Sequence, residues 1–107
     1  MSGALVIELS DLLQACGWVH ISLDISSSEM CMHVCNEAGT EITFTSGRKH
    51  HMDVVQKGIF VARTIYTDRE LALRGLAETL MPRERLYEML KALAPLPGRG
   101  RGRGLAF

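Results

Sequence analysis

Hydrophobic and polar residues alternate along much of the first half of the chain. The segments VHISLDI (19–25) and MCMHVCN (30–36) each place an apolar side chain at every second position. An alternation with a period of two is typical of strands that bury one face. The sequence therefore predicts a three-stranded antiparallel meander over about residues 18–25, 30–36 and 40–45.

Two loops fix the register of this meander. If Ile25 lies opposite Met30 across the loop SSSE, the aliphatic residues of the first strand all face apolar residues of the second. A three-residue loop at 37–39 places Val34 opposite Ile42, whereas a two-residue loop would mix the two faces. The longer loop also fits a type I turn whose glycine takes the left-handed position, so turn chemistry and hydrophobic pattern predict the same register.

The segments on either side of the meander are less regular. ALVIEL (4–9) is a short apolar run that fits either a strand or the beginning of a helix predicted at 10–17. SGRKHHMD (46–53) is polar and basic, which favours a loop. The β-branched and aromatic residues of IFVARTIY (59–66) predict a strand, and the Lys-Gly pair before it fits either a tight hairpin turn or the end of a short helix.

Two amphipathic helices are predicted after this strand. TDRE (67–70) fits a capping box with Thr67 as N-cap and Glu70 at position N3, and Pro82 suits the first turn of a second helix that APLPG (94–98) ends. The apolar stripes comprise Leu73, Leu76, Ala77 and Leu80 in the first helix and Leu86, Met89, Leu90 and Leu93 in the second.

The pattern as a whole predicts an α+β fold. An antiparallel sheet, made of the three-stranded meander plus one or two further strands, packs against the two C-terminal helices. We assign residues 1–97 to a single domain and residues 98–107 to an Arg/Gly-rich tail.

The composition predicts a small domain without a membrane anchor. A chain of 107 residues, of which 47% are hydrophobic, suffices for one core. Cys31 and Cys35 would lie about 13 Å apart on one strand, too far for a disulfide, and reduced thiols favour a cytoplasmic location. No apolar run reaches the roughly 18 residues of a membrane span, and no basic segment precedes the first apolar residues as in a secretory signal.

Charge is divided unequally along the chain. Residues 1–47 contain six acidic residues and no Lys or Arg, whereas residues 48–107 contain all 12 basic residues and six acidic ones. The net charges of the two parts are therefore −6 and +6. This division favours electrostatic contact with a partner or between two copies of the chain; the alternative is that the two parts face each other within one monomer.

Thiols and imidazoles share the polar face of the predicted meander. A metal site at His20, Cys31, His33 and Cys35 is one alternative, because these residue types are common zinc ligands. Neighbours on one face of a strand stand about 6.6 Å apart, however, which spreads the four ligands over a flat surface. The favoured interpretation is a polar sheet face that a helix or a partner covers.

The same face offers little to a catalytic mechanism. His20 and Cys35 could form a thiol–imidazole pair, but no glycine-rich elbow follows either meander cysteine to supply an oxyanion site. We therefore expect neither catalysis nor a cofactor.

A nucleic-acid-binding function is the second alternative. Arg48 and Lys49 lie in the basic segment, and alternating Arg and Gly residues in the tail suit contacts with phosphates. The candidate contacts are Arg48, Lys49, Arg99, Arg101 and Arg103. No aromatic residue is interleaved with the tail arginines, so base stacking would be weak.

The first hypothesis is a small non-enzymatic protein-binding module, a regulator or inhibitor that acts by protein–protein contact. Its acidic sheet face would meet a basic partner, and self-association as a homodimer is a further expectation, because an uncovered strand edge can pair with its copy. The predicted partner-binding residues are Asp24, Glu29, Glu37, Glu41, His20 and His33.

Overall fold

The computed structural model of the chain describes residues 2–80 and 84–95. The predicted tail at 98–107, with its three arginines, lies outside the described residues, as does Pro82. The elements in chain order are helix α1 (Ser2–Ala15), strands β1 (Trp18–Ile25), β2 (Met30–Asn36), β3 (Thr40–Ser46), β4 (His50–Gln56) and β5 (Ile59–Tyr66), and helices α2 (Arg69–Leu80) and α3 (Glu84–Leu93).

The five strands form one antiparallel sheet in the order β1-β2-β3-β4-β5. This confirms the predicted α+β class, with a meander, two further strands and two C-terminal helices. It also confirms the predicted register, since Ile25 faces Met30 and Val34 faces Ile42. His20 faces Cys35 after a bulge near the start of β1.

Two tight turns require left-handed backbone conformations. In the β2–β3 turn Gly39 has a φ of 92°, and its N–H donates to the carbonyl of Asn36 at 3.2 Å. In the β4–β5 turn both Lys57 and Gly58 have positive φ, 50° and 80°, as in the type I′ turns that connect twisted strands. The Lys-Gly pair is therefore a hairpin turn and not the end of a helix.

Two sequence-based expectations change at the element boundaries. The apolar run at 4–9 is the front of α1, whose Leu9 and Leu13 are buried in the core. The loop prediction at 46–53 was wrong for its second half, because β4 begins at His50. Met52 lies opposite Phe44 on the buried face, and this pairing outweighs the polar character of the segment.

The capping box at α2 was also wrong by one residue. The helix begins at Arg69, and the carboxylate of Asp68 accepts the N–H of Leu71 at 2.9 Å. Asp68 is therefore the N-cap in place of Thr67, and Glu70 does not occupy position N3.

All three described helices lie on the same face of the sheet, where the core forms. The apolar stripes of α2 and α3 are buried as predicted, and Trp18 donates its indole N–H to the carbonyl of Leu80 at 3.1 Å. Tyr66 lies under α2 at Gly75, where an added Cβ would approach the phenol oxygen to 2.2 Å. The core side chains contributed by the sheet are Trp18, Met30, Met32, Val34, Ile42, Phe44 and Met52.

Candidate functional site: the open face of the sheet

The sheet has a second face that none of the described helices covers, and we call it the open face. Because residues directly opposite each other on neighbouring strands share a face, the register assigns its members. They are His20, Ser22, Asp24, Cys31, His33, Cys35, Glu41, Thr43, Thr45, His51, Asp53, Val55, Phe60, Arg63 and Ile65. On β2 and β3 these side chains are half-buried and alternate with fully buried ones.

The predicted partner-binding residues form two groups at opposite ends of β2. His33 and Glu41 come together across β2 and β3, with Nε2 and Oε1 3.1 Å apart and each side chain a little over 40% exposed. Glu37 lies in the adjoining β2–β3 turn and is exposed. At the other end Asp24 faces Cys31, and Glu29 precedes β2.

The acidic surroundings of Cys31 oppose its use as a nucleophile or metal ligand. Burial raises the pKa of the Cys31 thiol above its ordinary value, and the nearby negative charges of Glu29 and Asp24 raise it further. The thiol therefore stays protonated at neutral pH, whereas nucleophilic attack and metal binding both need the thiolate.

The structure places the four metal candidates on the open face but spreads them along it. His20 and Cys35 are direct neighbours, whereas Cys31 lies four residues from Cys35 along β2. Across residues 2–80 and 84–95, no three His, Cys, Asp or Glu side chains lie close enough together to hold a metal ion.

Toward β5 the character of the sheet changes from acidic to apolar. Arg63 binds the carboxylate of Asp53 through two hydrogen bonds of 2.7 and 2.9 Å, which lowers the pKa of Asp53. Beyond this pair the apolar side chains are largely in solvent: Ile59 is 70% exposed, Phe60 59%, Val61 55% and Ile65 75%. Sequence reasoning predicted the strand but missed its exposure.

Sequence reasoning also missed a polar network at one end of the sheet. Arg69 donates from Nε to the Ser46 hydroxyl at 3.0 Å and also contacts the carbonyls of Ser28 and Pro95. The same hydroxyl lies 2.8 Å from Nδ1 of His50. Burial lowers the pKa of His50, and the charge of Arg69 lowers it further. This network joins two hairpin ends to the start of α2 and the end of α3.

The basic candidates Arg48 and Lys49 lie at the tip of the β3–β4 turn, where both are exposed. The other three nucleic-acid candidates, Arg99, Arg101 and Arg103, lie outside the described residues.

A groove of about 280 Å³ between α2 and α3 is lined by Arg69, Glu70, Leu73, Tyr87, Lys91, Ala94 and Pro95. The ring of Tyr87 on its floor carries the guanidinium of Arg74 at 4.2 Å, a cation–π contact that fixes the ring.

No protein-family model, curated protein or solved structure matches this chain. In the part of the chain that the structure describes, the helices are too short or too polar to cross a bilayer.

Proposed function

We propose that this chain is a small non-enzymatic protein-binding module that acts as a regulator or inhibitor. It contacts a basic partner through the acidic part of the open face. The observation that carries this proposal is the one-sided packing of the sheet, because the described helices cover one face and leave the other available along all five strands.

Charge supports a basic partner. Asp24, Glu29, Glu37 and Glu41 lie on or beside the first three strands, a region that contains no Lys or Arg. Such a surface attracts a basic protein over about 8–10 Å at physiological ionic strength and orients its approach. The hydrogen bond between His33 and Glu41 holds one of these carboxylates in place.

The chemistry of the face favours binding over catalysis. The raised pKa of the Cys31 thiol opposes its use as a nucleophile, because attack needs the thiolate. An open sheet face is also less suited than a concave pocket to exclude water from a substrate.

A matched pair of charge reversals tests the proposal. The double variant Asp24→Lys/Glu41→Lys alters the open face, and Glu78→Lys/Glu88→Lys makes the same change in net charge on exposed helix positions. Each protein is immobilised and used to capture proteins from an extract of its source cells, which are identified by mass spectrometry. We expect specific proteins to bind the wild type and the helix variant, to be lost by the open-face variant, and to elute with increasing salt.

Two outcomes would contradict this function. If the open-face variant captures the same proteins as the wild type, the acidic residues of the open face do not contribute to binding. Retention of RNA or DNA that falls steeply with salt and is lost in Arg48→Gln/Lys49→Gln would replace the protein partner with a nucleic acid.

A further inference from the structure

Strand β5 is an edge strand with unusual exposure. It is the last strand of the sheet, and within the described residues no strand pairs with its outer side. Seven of its eight residues are exposed, among them four large apolar ones. An exposed apolar edge of this length presents backbone N–H and C=O groups ready to pair with another strand.

The two edges of the sheet differ in their protection. Strand β1 carries the charge of Asp24, has a bulge near Trp18 and is flanked by α1 at its beginning. On β5 the only charged residue is Arg63, which is neutralised by Asp53 of the neighbouring strand. Exposed edges normally carry lysines, prolines or inward-pointing charges, and β5 has none of these.

We propose that β5 pairs antiparallel with β5 of a second copy of this chain, so that the two sheets join into one of ten strands. In such a two-fold pair one residue must face its own copy, because opposite residues share a face. A centre at Arg63 would oppose two like charges, and a centre nearer the N-terminal end would involve the bulge opposite Val55. A centre at Ile65 or Tyr66 would pair only three residues or one within the strand, so the pair is centred on Thr64.

This register makes the edge complementary to itself. Arg63 faces Ile65 of the second copy. The methylene groups of the Arg63 side chain then pack on Ile65, which is 75% exposed in the monomer. On the other face Ala62 lies opposite the copy's Tyr66, which pairs a small side chain with a large one. Five residues of each strand, 62–66, take part without any like-charge contact.

Local charge permits a second copy as the occupant of this edge. Strand β5 belongs to the +6 part of the chain, but its one charged residue, Arg63, is paired with Asp53. Pairing at β5 also keeps the two −6 segments, whose strands β1–β3 lie toward the other edge of the sheet, apart. In a ten-stranded sheet the two β1 strands are separated by nine strand spacings, or about 43 Å. Pairing at β1 would instead bring the acidic segments together.

The dimer would affect how the protein binds its partner, and this consequence rests on the proposed function. Both open faces would lie on the same side of the continuous sheet and present two acidic surfaces in a fixed relation. A partner with two basic sites could then bind both copies, which raises the overall affinity without new contacts.

Substitution of Ile65 by a cation or by an anion tests the register of the β5–β5 pair. We expect the wild type to be a dimer by sedimentation velocity at micromolar concentration. Ile65→Lys places a second cation opposite Arg63 of the copy and should raise the dimer dissociation constant at least about tenfold. Ile65→Glu offers an anion at the same place and should preserve the dimer. The control Ile7→Lys introduces the same charge at another largely exposed isoleucine, on α1, and should have no effect.

Cysteine cross-linking distinguishes edge pairing from stacked open faces. In a chain whose three native cysteines are replaced by serine, Thr64→Cys should form a disulfide-linked dimer under mild oxidation, because residues on the two-fold axis lie within disulfide reach. Thr43→Cys, at the centre of the open face, should not.

A wild-type protein that stays monomeric at 100 micromolar overturns the proposal. So does a dimer that cross-links through Thr43→Cys and not through Thr64→Cys, or equal association by Ile65→Lys and Ile65→Glu. A monomer, or equal association by the two Ile65 variants, leaves the capture experiment unaffected. A dimer stacked through Thr43 would also cover the acidic surface, and the capture experiment with Asp24→Lys/Glu41→Lys then tests the proposed function separately.

Discussion

At the scale of single residues, Gly75 is constrained by the side chain beneath it. A methyl group at this position would lie 2.2 Å from the Tyr66 oxygen and 2.6 Å from the adjacent ring carbon. Alanine is normally preferred over glycine in a helix by about 1 kcal/mol. We nevertheless expect Gly75→Ala to lower the free energy of unfolding by about 1–3 kcal/mol, measured by chemical denaturation, because either the half-buried Tyr66 ring or α2 must shift to make room.

Two further variants separate this contact from helix propensity. Gly3 also lies in a helix but has nothing within 4 Å of an added Cβ, so Gly3→Ala should be neutral or slightly stabilising. In a Tyr66→Ala background, Gly75→Ala should lose its additional cost. If the cost persists there, the contact with Tyr66 is not its cause.

His50 makes stability depend on pH in a definite direction. Its pKa is lowered in the folded protein by burial and by the charge of Arg69. In the unfolded chain the pKa of His50 has its ordinary value of about 6.5, so the unfolded chain binds the proton more tightly than the folded protein does. Stability is therefore full above this pH and decreases as the pH falls from 6.5 through the folded pKa. We expect His50→Asn to flatten the fall in melting temperature between about pH 6.5 and 5.

The adjacent histidine provides the control for this experiment. His51 lies on the open face and is not part of the network around Ser46. His51→Asn makes the same substitution outside this network, so it should leave the part of the fall that depends on His50 in place. An unchanged slope in His50→Asn would show that another group titrates.

Some residue-level features could be predicted from the sequence and others could not. The left-handed Gly39 followed from turn chemistry, because only a three-residue loop kept the faces consistent. The N-cap was misplaced because Thr67 and Asp68 are both good caps and the choice depends on where β5 ends. The contacts of Arg69 with Ser28 and Pro95 join residues far apart in the chain, which no local pattern encodes.

At the scale of elements, the β4–β5 hairpin contains one strained position. Lys57 has a φ of 50°, where a residue other than glycine or asparagine is unfavourable. Lys57→Asn completes the preferred Asn-Gly pair of a type I′ turn and should stabilise the protein by a few tenths to about 1 kcal/mol. Gly58→Ala, at a φ of 80°, should destabilise it by about 1 kcal/mol, measured in the same denaturation experiment.

A lack of difference between these two variants would contradict the hairpin geometry. The β4–β5 turn also contacts the β2–β3 turn, since the N–H of Lys57 donates to the Gly39 carbonyl at 2.8 Å. Because this bond uses only the backbone of residue 57, it is kept in Lys57→Asn. The stability change of that variant therefore reports the turn conformation alone.

Elements with strict periodicity were predictable, and those without it were not. The meander followed from alternation alone, and the apolar stripes identified both C-terminal helices. The run at 4–9 fitted two structures until its packing against β1 and α3 decided between them. Strand β4 was obscured because its first residues, His50 and His51, are polar and belong to a basic segment.

At the scale of the whole molecule, α1 belongs to the same core as the C-terminal helices. Leu13 is completely buried and α1 packs against α3 and β1. Leu13→Ala should lower the free energy of unfolding by about 2–5 kcal/mol, a large part of the stability of a small domain. Unfolding followed by fluorescence of Trp18 and by circular dichroism should remain one coincident transition.

Ile7→Ala is the matched control on the same helix. Ile7 is 64% exposed, so its truncation should change stability by less than about 0.5 kcal/mol. If Leu13→Ala were equally mild, or if α1 melted in a separate step, the helix would not be part of the cooperative core.

The surface of the whole molecule was only partly predictable. The acidic face followed from the register, because the positions of Asp24, Glu41 and His33 are determined once the apolar residues face the core. The exposure of β5 could not be predicted, since a strand rich in Ile, Phe and Val usually lies in the middle of a sheet. Its exposure reflects the position of the helices, which reach β5 mainly through Tyr66.

The one-sided sheet divides the tasks of folding and recognition between neighbouring residues. Along β2 and β3, every second position builds the interior, and the positions between them face outward. Outward positions such as Ser22 and Thr43 can therefore change identity at little cost to the folding of the domain. Selection can alter what the protein recognises while the scaffold stays the same, and a library randomised at these outward positions should yield folded proteins with new specificities.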